Sequence, residues 1–361
     1  MPGCKKFIFL VQGEGRGHMT QAMGLYHMLI TAGHKVVHVF IGKSDRRKIP
    51  AYFTESFSCP VEAIATPNFI TDMDNKSIRL IPSIIYNAKF LRKYLKSMKK
   101  IHRAVKSEKP DYIINFYEFL GGFYNLLFRP SARHIPVGHQ FLASHPSFPL
   151  LKNRVIDHWL FLINNFLTSL KAYKIFALSF SEYDPWVIKN IVICPPLLRP
   201  DLDHFPAAGG TYILGYMVND GYAGQVIEWH SQNRDTEVNC FWDRKGEPEE
   251  KMVDENLRFH QLSGEKFMLM MAGAKGLVTT AGFESVCEAM YFGKPVMMIP
   301  VEGQYEQACN AIDAANAGAG IAGTSFDLSR LIRYIPEYKP VDKTFKAWLA
   351  KAENIILKEL D

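Results

Sequence analysis

The sequence predicts an α/β protein of two domains, each built around a parallel sheet, and three observations carry that reading. Its 361 residues exceed what one core usually supports, so two domains of roughly 150 to 200 residues are the natural division. The chain opens as strand, turn, helix and strand, the unit that builds parallel sheets. A second strand, small-residue turn and helix recurs far downstream, from Thr279 to Ser285.

Taken in order, Phe7 to Val11 is a short apolar run with β-favouring residues, followed by Gly13-Glu14-Gly15-Arg16-Gly17-His18. Met19, Ala22, Met23, Tyr26, Leu29 and Ile30 then recur at three and four, which predicts a helix opening near Met19 and stopping at Gly33-His34. Lys35 to Ile41 reads as the second strand, with Tyr112 to Phe116 and Ile135 to Gly138 as later ones. From Ile191 to Pro206, Cys194-Pro195-Pro196 and Arg199-Pro200-Asp201 hold the chain extended and remove backbone donors, as a link between domains does. Beyond it, Tyr212 to Met217, Thr236 to Trp242, Leu277 to Thr280 and Pro295 to Pro300 are strand candidates, interleaved with helices such as Glu284 to Phe292. Phe345, Trp348, Leu349, Ile355 and Ile356 give the tail helical spacing. The expected division is residues 1–192, a linker at 193–206, a second domain at 207–340, and a terminal helix at 341–361 packing back on the first domain.

Composition narrows the class. A hydrophobic fraction of 48% with 22% charged residues is that of an ordinary globular protein. Six cysteines without C-x-x-C spacing argue against a zinc cage and a disulfide framework, and a reducing cytoplasm fits best. Lys5-Lys6 precedes an apolar run too short for the core of a signal peptide. No stretch approaches the ~20 apolar residues that span a bilayer; His158 to Leu170 comes nearest and is broken by Asn164, Asn165, Thr168 and Ser169. The formal charge of +6 favours anionic ligands or an anionic surface without calling for nucleic acid.

The glycine turn lets the backbone approach a ligand, and the helix after it aims N–H groups and partial positive charge back into the turn. That suits a phosphate or cofactor; a tight structural turn is the plain alternative. His18 stands where a strand end meets a helix start, and an imidazole there can take a proton from a hydroxyl nucleophile at neutral pH, or simply be satisfied by local backbone. In the second segment Ala281-Gly282 ends the strand, and Ser285 is placed to cap the helix or bond a phosphate. Glu288, on the next turn, can accept from two vicinal ribose hydroxyls, against the plain reading of a solvent-facing glutamate. Glu306, Gln307 and Asn310 sit on the first turns of a further helix, where three polar groups can bond several sugar hydroxyls. A nicotinamide dehydrogenase needs an acidic residue at the end of the second strand; Ile41-Gly42-Lys43-Ser44 stands there, with Asp45 the sole candidate.

With these residues in view the chain resembles a glycosyltransferase of the GT-B group, which includes UDP-glycosyltransferases and the peptidoglycan N-acetylglucosaminyltransferase. Gly17-His18-Met19 to Gly33-His34-Lys35-Val36 is similar to that group's opening turn and helix. Ala281-Gly282, Ser285, Glu288-Ala289, Gly293-Lys294-Pro295, Pro300, Glu306-Gln307 and Asn310-Ala311 resemble its donor pattern. The resemblance implies two Rossmann-like domains facing a central cleft, the nucleotide-sugar donor in the second and the hydroxyl acceptor mainly in the first. No cofactor and no essential metal is implied. It implies His18 as the base of an inverting displacement, Glu288 on the ribose, Gly282 to Ser285 (with Phe283 and Glu284) on the diphosphate, and Glu306 with Gln307 on the sugar. Gly15, Gly17, Thr280 and Asn310 complete the expected donor contacts.

Four positions depart from the pattern: Ala281 for a glycine, Thr280 for a histidine, Gln21 for a proline, and Asn115 for the aspartate that orients the base. Glu118 is the nearest substitute carboxylate and is taken as the partner of His18. From Ile84 to Lys109, the apolar face of Ile84, Ala88, Leu91, Leu95, Met98 and Val105 is set among Lys89, Arg92, Lys93, Lys96, Lys99, Lys100, Arg103, Lys106 and Lys109. This is either a packed helix with a solvated basic face or one that lies on anionic lipid, on the cytoplasmic face of a membrane and near a lipid-linked acceptor. Two other functions share such a scaffold: a sugar-nucleotide 2-epimerase, and a regulatory protein that binds the nucleotide without turnover.

Overall fold

The computed structural model describes residues 3–43, 49–67, 86–186, 190–217 and 220–360. Ser44, Asp45 and Ile84 therefore lie outside the described residues. The chain divides into two compact units, residues 1–200 with 350–361, and residues 201–349.

The first unit is a seven-stranded parallel sheet. Its strands are β1 (Lys6–Gln12), β2 (Lys35–Lys43), β3 (Val61–Ala65), β4 (Tyr112–Phe116), β5 (Arg133–Gly138), β6 (Ile175–Leu178) and β7 (Ile191–Cys194), in the order β3-β2-β1-β4-β5-β6-β7. Phe7 to Val11 are wholly buried, as a strand covered on both faces requires, which is why β1 reads as an unbroken apolar run. Its helices are α1 (Arg16–Thr31), α2 (Ala51–Glu55), α3 (Leu91–Glu108), α4 (Phe119–Phe128) and α5 (Val155–Thr168). Gly33, at φ +83°, ends α1: its N–H bonds Ile30 and that of His34 bonds Leu29, an αL termination that a glycine makes without strain.

Two expectations change here. Ile191–Cys194 is the edge strand of this sheet rather than the start of an extended link, because its β-branched residues pair with Ile175–Leu178. In α3 the buried stripe is Tyr94, Met98, Ile101 and Val105, packed with Ile8, Leu10, Phe40 and Ile113 of the sheet, whereas Leu91 and Leu95 are exposed among the lysines. Tyr94 sets that register, since 94, 98, 101 and 105 share one helical face.

The second unit holds β8 (Ile213–Met217), β9 (Val238–Trp242), β10 (Glu250–Met252), β11 (Leu257–Gln261), β12 (Gly276–Thr279), β13 (Val296–Met298) and β14 (Gly320–Ala322) in the order β10-β11-β9-β8-β12-β13-β14, parallel except for β10 against β11. Its helices are α6 (Ala223–Ser231), α7 (Gly264–Gly273), α8 (Phe283–Tyr291), α9 (Tyr305–Asn316), α10 (Ser329–Tyr334) and α11 (Asp342–Leu349). Met217, Val226, Trp242, Phe259, Val278, Met297 and Phe326 form one core cluster on this sheet.

The tail is two helices rather than one. Phe345 and Trp348 of α11 are buried in the second unit, and the chain turns at Ala350-Lys351 before α12 (Ala352–Leu360). Ile356 and Leu360 of α12 are buried in the first unit, where Tyr112 Oη donates to the Leu360 carbonyl at 2.9 Å.

Candidate functional site

In the first unit β1 ends in Gly13-Glu14-Gly15 and α1 begins at Arg16, three residues earlier than Met19, so Gly17 and His18 lie inside its first turn. Gly15 is the N-cap in extended conformation and supplies no side chain, leaving the helix's first N–H groups without a side-chain cap. His18 Nδ1 lies 3.1 Å from Gln21 Oε1, one turn along, and its Nε2 lies 3.4 Å from the amide nitrogen of Gln140. The ring stacks on Tyr117, with centroids 5.6 Å apart and planes 18° from parallel. Burial lowers the imidazole's proton affinity to about 4, opposed in part by the bond to Gln21.

The carboxylate expected to orient this ring does not reach it. Glu118 is the N-cap of α4: its Oε1 accepts from the Leu120 N–H at 3.1 Å and from the Thr66 hydroxyl. Asn115 at the end of β4 accepts from the Glu118 N–H at 2.8 Å and donates to the Thr168 carbonyl at 3.3 Å. Asn115 joins β4 to α4 and α5, and Glu118 Oε1 joins the start of α4 to Thr66 beyond β3, so Glu118 is a capping residue in this structure. Tyr117, between them, has φ +56°, a left-handed conformation uncommon for a bulky residue, and this turns its ring onto His18. Its hydroxyl donates to Asn165 Oδ1 and accepts from Asn164 Nδ2 at 2.9 Å, and Asn165 Nδ2 donates to the Gln140 carbonyl at 2.8 Å.

Sequence reasoning missed Tyr117 and Gln140, and saw Gln21 only as a departure from a pattern. For Gln21 a signal existed, because residues three apart on a helix face one another. For Tyr117 there was none.

In the second unit β12 runs through Thr280, Ala281 and Gly282 into α8. Gly282 is an N-cap without a side chain and makes no side-chain cap bond. Ser285 does not serve as the cap, because it sits within the first turn and its hydroxyl donates back to the Gly282 carbonyl at 3.4 Å. Phe283, Glu284, Ser285 and Glu288 are all buried, as is Thr280. Burial first, then the charges of Glu284 and Glu288 on α8 itself and of Asp313 on α9, push the Cys287 thiol's pKa well up.

Glu306 and Gln307 are half-buried on the first turn of α9. Gln307 is partly spoken for: its Oε1 accepts from the Val301 N–H at 2.8 Å, which leaves its NH2 group to reach a ligand. Asn310 is buried and donates to the Ala281 carbonyl at 3.3 Å, so it braces the turn before α8. Among the described residues no group of three His, Cys, Asp or Glu is arranged to hold a metal ion, and no helix is long and apolar enough to cross a membrane.

Two α/β sheets, parallel but for β10 in the second, each with a glycine-capped helix at the carboxyl edge of a strand, have the two-domain GT-B architecture. The profile of glycosyl transferase family 1 matches residues 5–336, and the chain belongs to that family: it is a glycosyltransferase. No curated protein matches the chain. Among solved structures, the glycotransferase of kitacinnamycin aligns with a TM-score of 0.66 at 14% identity over 99% of both chains. Phytolacca americana UGT2, complexed with UDP-2fluoro-glucose and pterostilbene, aligns at 0.66 and 11% over 99% of both chains. Acinetobacter baumannii MurG aligns at 0.58 and 15% over 98% of this chain and 99% of its own.

Proposed function

We propose that the protein moves a sugar from a nucleoside-diphosphate donor, a UDP-sugar, to a hydroxyl acceptor with inversion at the sugar carbon. The observation that carries this reading is the amino end of α8. Gly282 gives it no side-chain cap, and the helix dipole there favours the donor diphosphate and stabilises the leaving group without a metal. Glu288, one turn further, takes the ribose hydroxyls; Glu306 and the NH2 group of Gln307 take the sugar. The N-terminal unit supplies the acceptor side, with His18 as the base, and Gly15 and Gly17 are counted among the donor contacts. The UDP ligand of Phytolacca americana UGT2 supports the choice of nucleotide.

The test is a calorimetric titration with UDP and UDP-sugars alongside a transfer assay. Glu288→Ala weakens nucleotide binding. His18→Ala abolishes transfer while leaving nucleotide binding nearly unchanged, and full activity in that variant would place the base elsewhere. Incubation with UDP-N-acetylglucosamine alone separates transfer from epimerisation, since an epimerase forms the manno product without an acceptor.

One observation favours a lipid-linked acceptor at the cytoplasmic face of a membrane. On α5, Val155, Ile156, Trp159, Ile163 and Phe166 are exposed, Trp159 to 59% and Phe166 to 65%, and the helix's single charge, Asp157, is paired with Arg154. An apolar stripe of this kind marks an interaction surface. Packing of α5 on α4, and of α4 on α3, sets it within one helical layer beside the lysines and arginines of α3. Apolar stripe and cationic face together suit an anionic bilayer. Salt-sensitive binding to vesicles containing anionic lipid supports this, and equal behaviour with neutral vesicles refutes it.

A further inference from the structure

We propose that Gln21 is the positioning residue of the base, holding His18 as the Nδ1–H tautomer with the Nε2 lone pair turned to the acceptor hydroxyl. The inference rests on the reading of His18 as base and names the group that makes it one. Gln21 is 2% exposed and its Oε1 lies 3.1 Å from Nδ1, so the ring nitrogen facing it donates. At the other side of the ring the amide nitrogen of Gln140 stands 3.4 Å from Nε2. An amide nitrogen only donates, so Nε2 there carries no proton. Both contacts agree with the tautomer that leaves a base at Nε2, and the shorter one, from Gln21, sets it, because the Gln140 amide at 3.4 Å is too long to hold the tautomer alone.

The ring plane is fixed as well. Tyr117 stacks on it, and the hydroxyl of Tyr117 is held by Asn164 and Asn165, the second of which also bonds the Gln140 carbonyl. Among the described residues the groups that face the imidazole are Gln21 from α1, Tyr117 from the turn after β4, and Gln140 from the turn after β5, and none carries charge at neutral pH. Among them no carboxylate replaces the one absent at Asn115. The amide orients the ring without offering the negative charge that would stabilise imidazolium, in keeping with the lowered proton affinity of the ring.

In the reaction the acceptor hydroxyl takes the place of the Gln140 amide at Nε2. Its proton passes to Nε2 as its oxygen bonds the sugar's anomeric carbon, and the bond from that carbon to the diphosphate oxygen breaks with its electron pair leaving on the diphosphate. Gln21 holds Nδ1–H throughout.

The test is 15N NMR of the His18 imidazole, with pH profiles of kcat/KM, in wild type, Gln21→Leu and Gln21→Glu, each checked for folding by thermal unfolding. In wild type the ring is a single Nδ1–H tautomer. Gln21→Leu mixes the tautomers and lowers kcat about tenfold or more, short of the ~10²–10⁴-fold that loss of a general base costs, with the donor KM unchanged. Gln21→Glu, which keeps the side chain's length, raises the ring's titration point and moves the acid limb of kcat/KM up with it. A pure Nδ1–H tautomer in Gln21→Leu, or an unmoved titration point in Gln21→Glu, overturns the proposal. If His18→Ala keeps full rate while the tautomer still follows Gln21, the base assignment falls and the coupling stands. If His18→Ala abolishes transfer and the tautomer ignores Gln21, the positioning role alone falls.

Discussion

Replacing Glu118 with glutamine isolates a pH dependence of stability that the structure predicts with a definite sign. Glu118 is wholly buried, and its carboxyl's pKa rises from 4.5 to about 7. Burial is the main cause; the bonds from Thr66 and Leu120 oppose it, and the charge of Glu14 adds to it. Oε1 takes both bonds, and among the described residues Oε2 has no hydrogen-bond partner. In the unfolded chain the proton leaves near 4.5, so between there and about 7 the folded state holds one proton more than the unfolded state. Stability therefore falls as pH rises through that window and levels off above it. At 1.36 kcal/mol per unit of pKa, the change between pH 5 and pH 8 amounts to about 2 to 3 kcal/mol. Glutamine keeps the acceptor for Thr66 and Leu120 and never ionises, so Glu118→Gln lacks this fall while sharing every other titration. Differential scanning calorimetry of both proteins from pH 5 to pH 8 reads it directly. The variant's melting temperature gains on wild type as pH rises, by about 5 to 10 °C for a unit of this size. A gap that stays constant with pH, or that closes as pH rises, refutes the buried, protonatable cap.

Three further outcomes follow from local geometry. Gly122→Ala places a Cβ 1.9 Å from the Leu167 carbonyl, so α4 and α5 must part; urea unfolding registers a loss of about 1 to 3 kcal/mol, and an unchanged midpoint contradicts this packing. Asn310→Ala removes the donor to the Ala281 carbonyl in a buried setting, which costs about 1 to 3 kcal/mol in thermal unfolding and weakens UDP binding measured by calorimetry. The double change Trp159→Ser and Phe166→Ser touches exposed side chains, so stability shifts by less than about 1 kcal/mol while sedimentation with anionic vesicles declines.

The parts of the fold that were legible are those where period and punctuation agree. Phe7 to Val11 announces a strand covered on both faces, and Gly33 marks where α1 stops. Strands β3, β6, β10, β11 and β14 escaped notice. They are three to five residues long, and such short pieces take their conformation from neighbours in the sheet rather than from a pattern of their own. The register of α3 was misjudged for a related reason: leucines at 91 and 95 look like core, but the sheet selects the face that begins with Tyr94.

The site divides along a different line, because a polar residue's type says what it can bond and not what already bonds it. Glu118 looked like a partner for His18 and is spent on a helix cap; Gln307 gives its carbonyl oxygen to Val301, and Asn310 gives a donor to Ala281. Each of those claims comes from backbone groups that the fold must satisfy once they are buried. The reverse holds at α1 and α8, where Gly15 and Gly17 flank one helix start and Gly282 caps the other. A glycine N-cap brings no side chain to the helix start, which is what the proposed phosphate contacts at those positions call for. His18 stands between the two cases. It is engaged at both nitrogens, yet each engagement comes from a neutral amide: Gln21 fixes the proton at Nδ1, and Gln140 at 3.4 Å makes a long contact that an acceptor hydroxyl can displace from the lone pair.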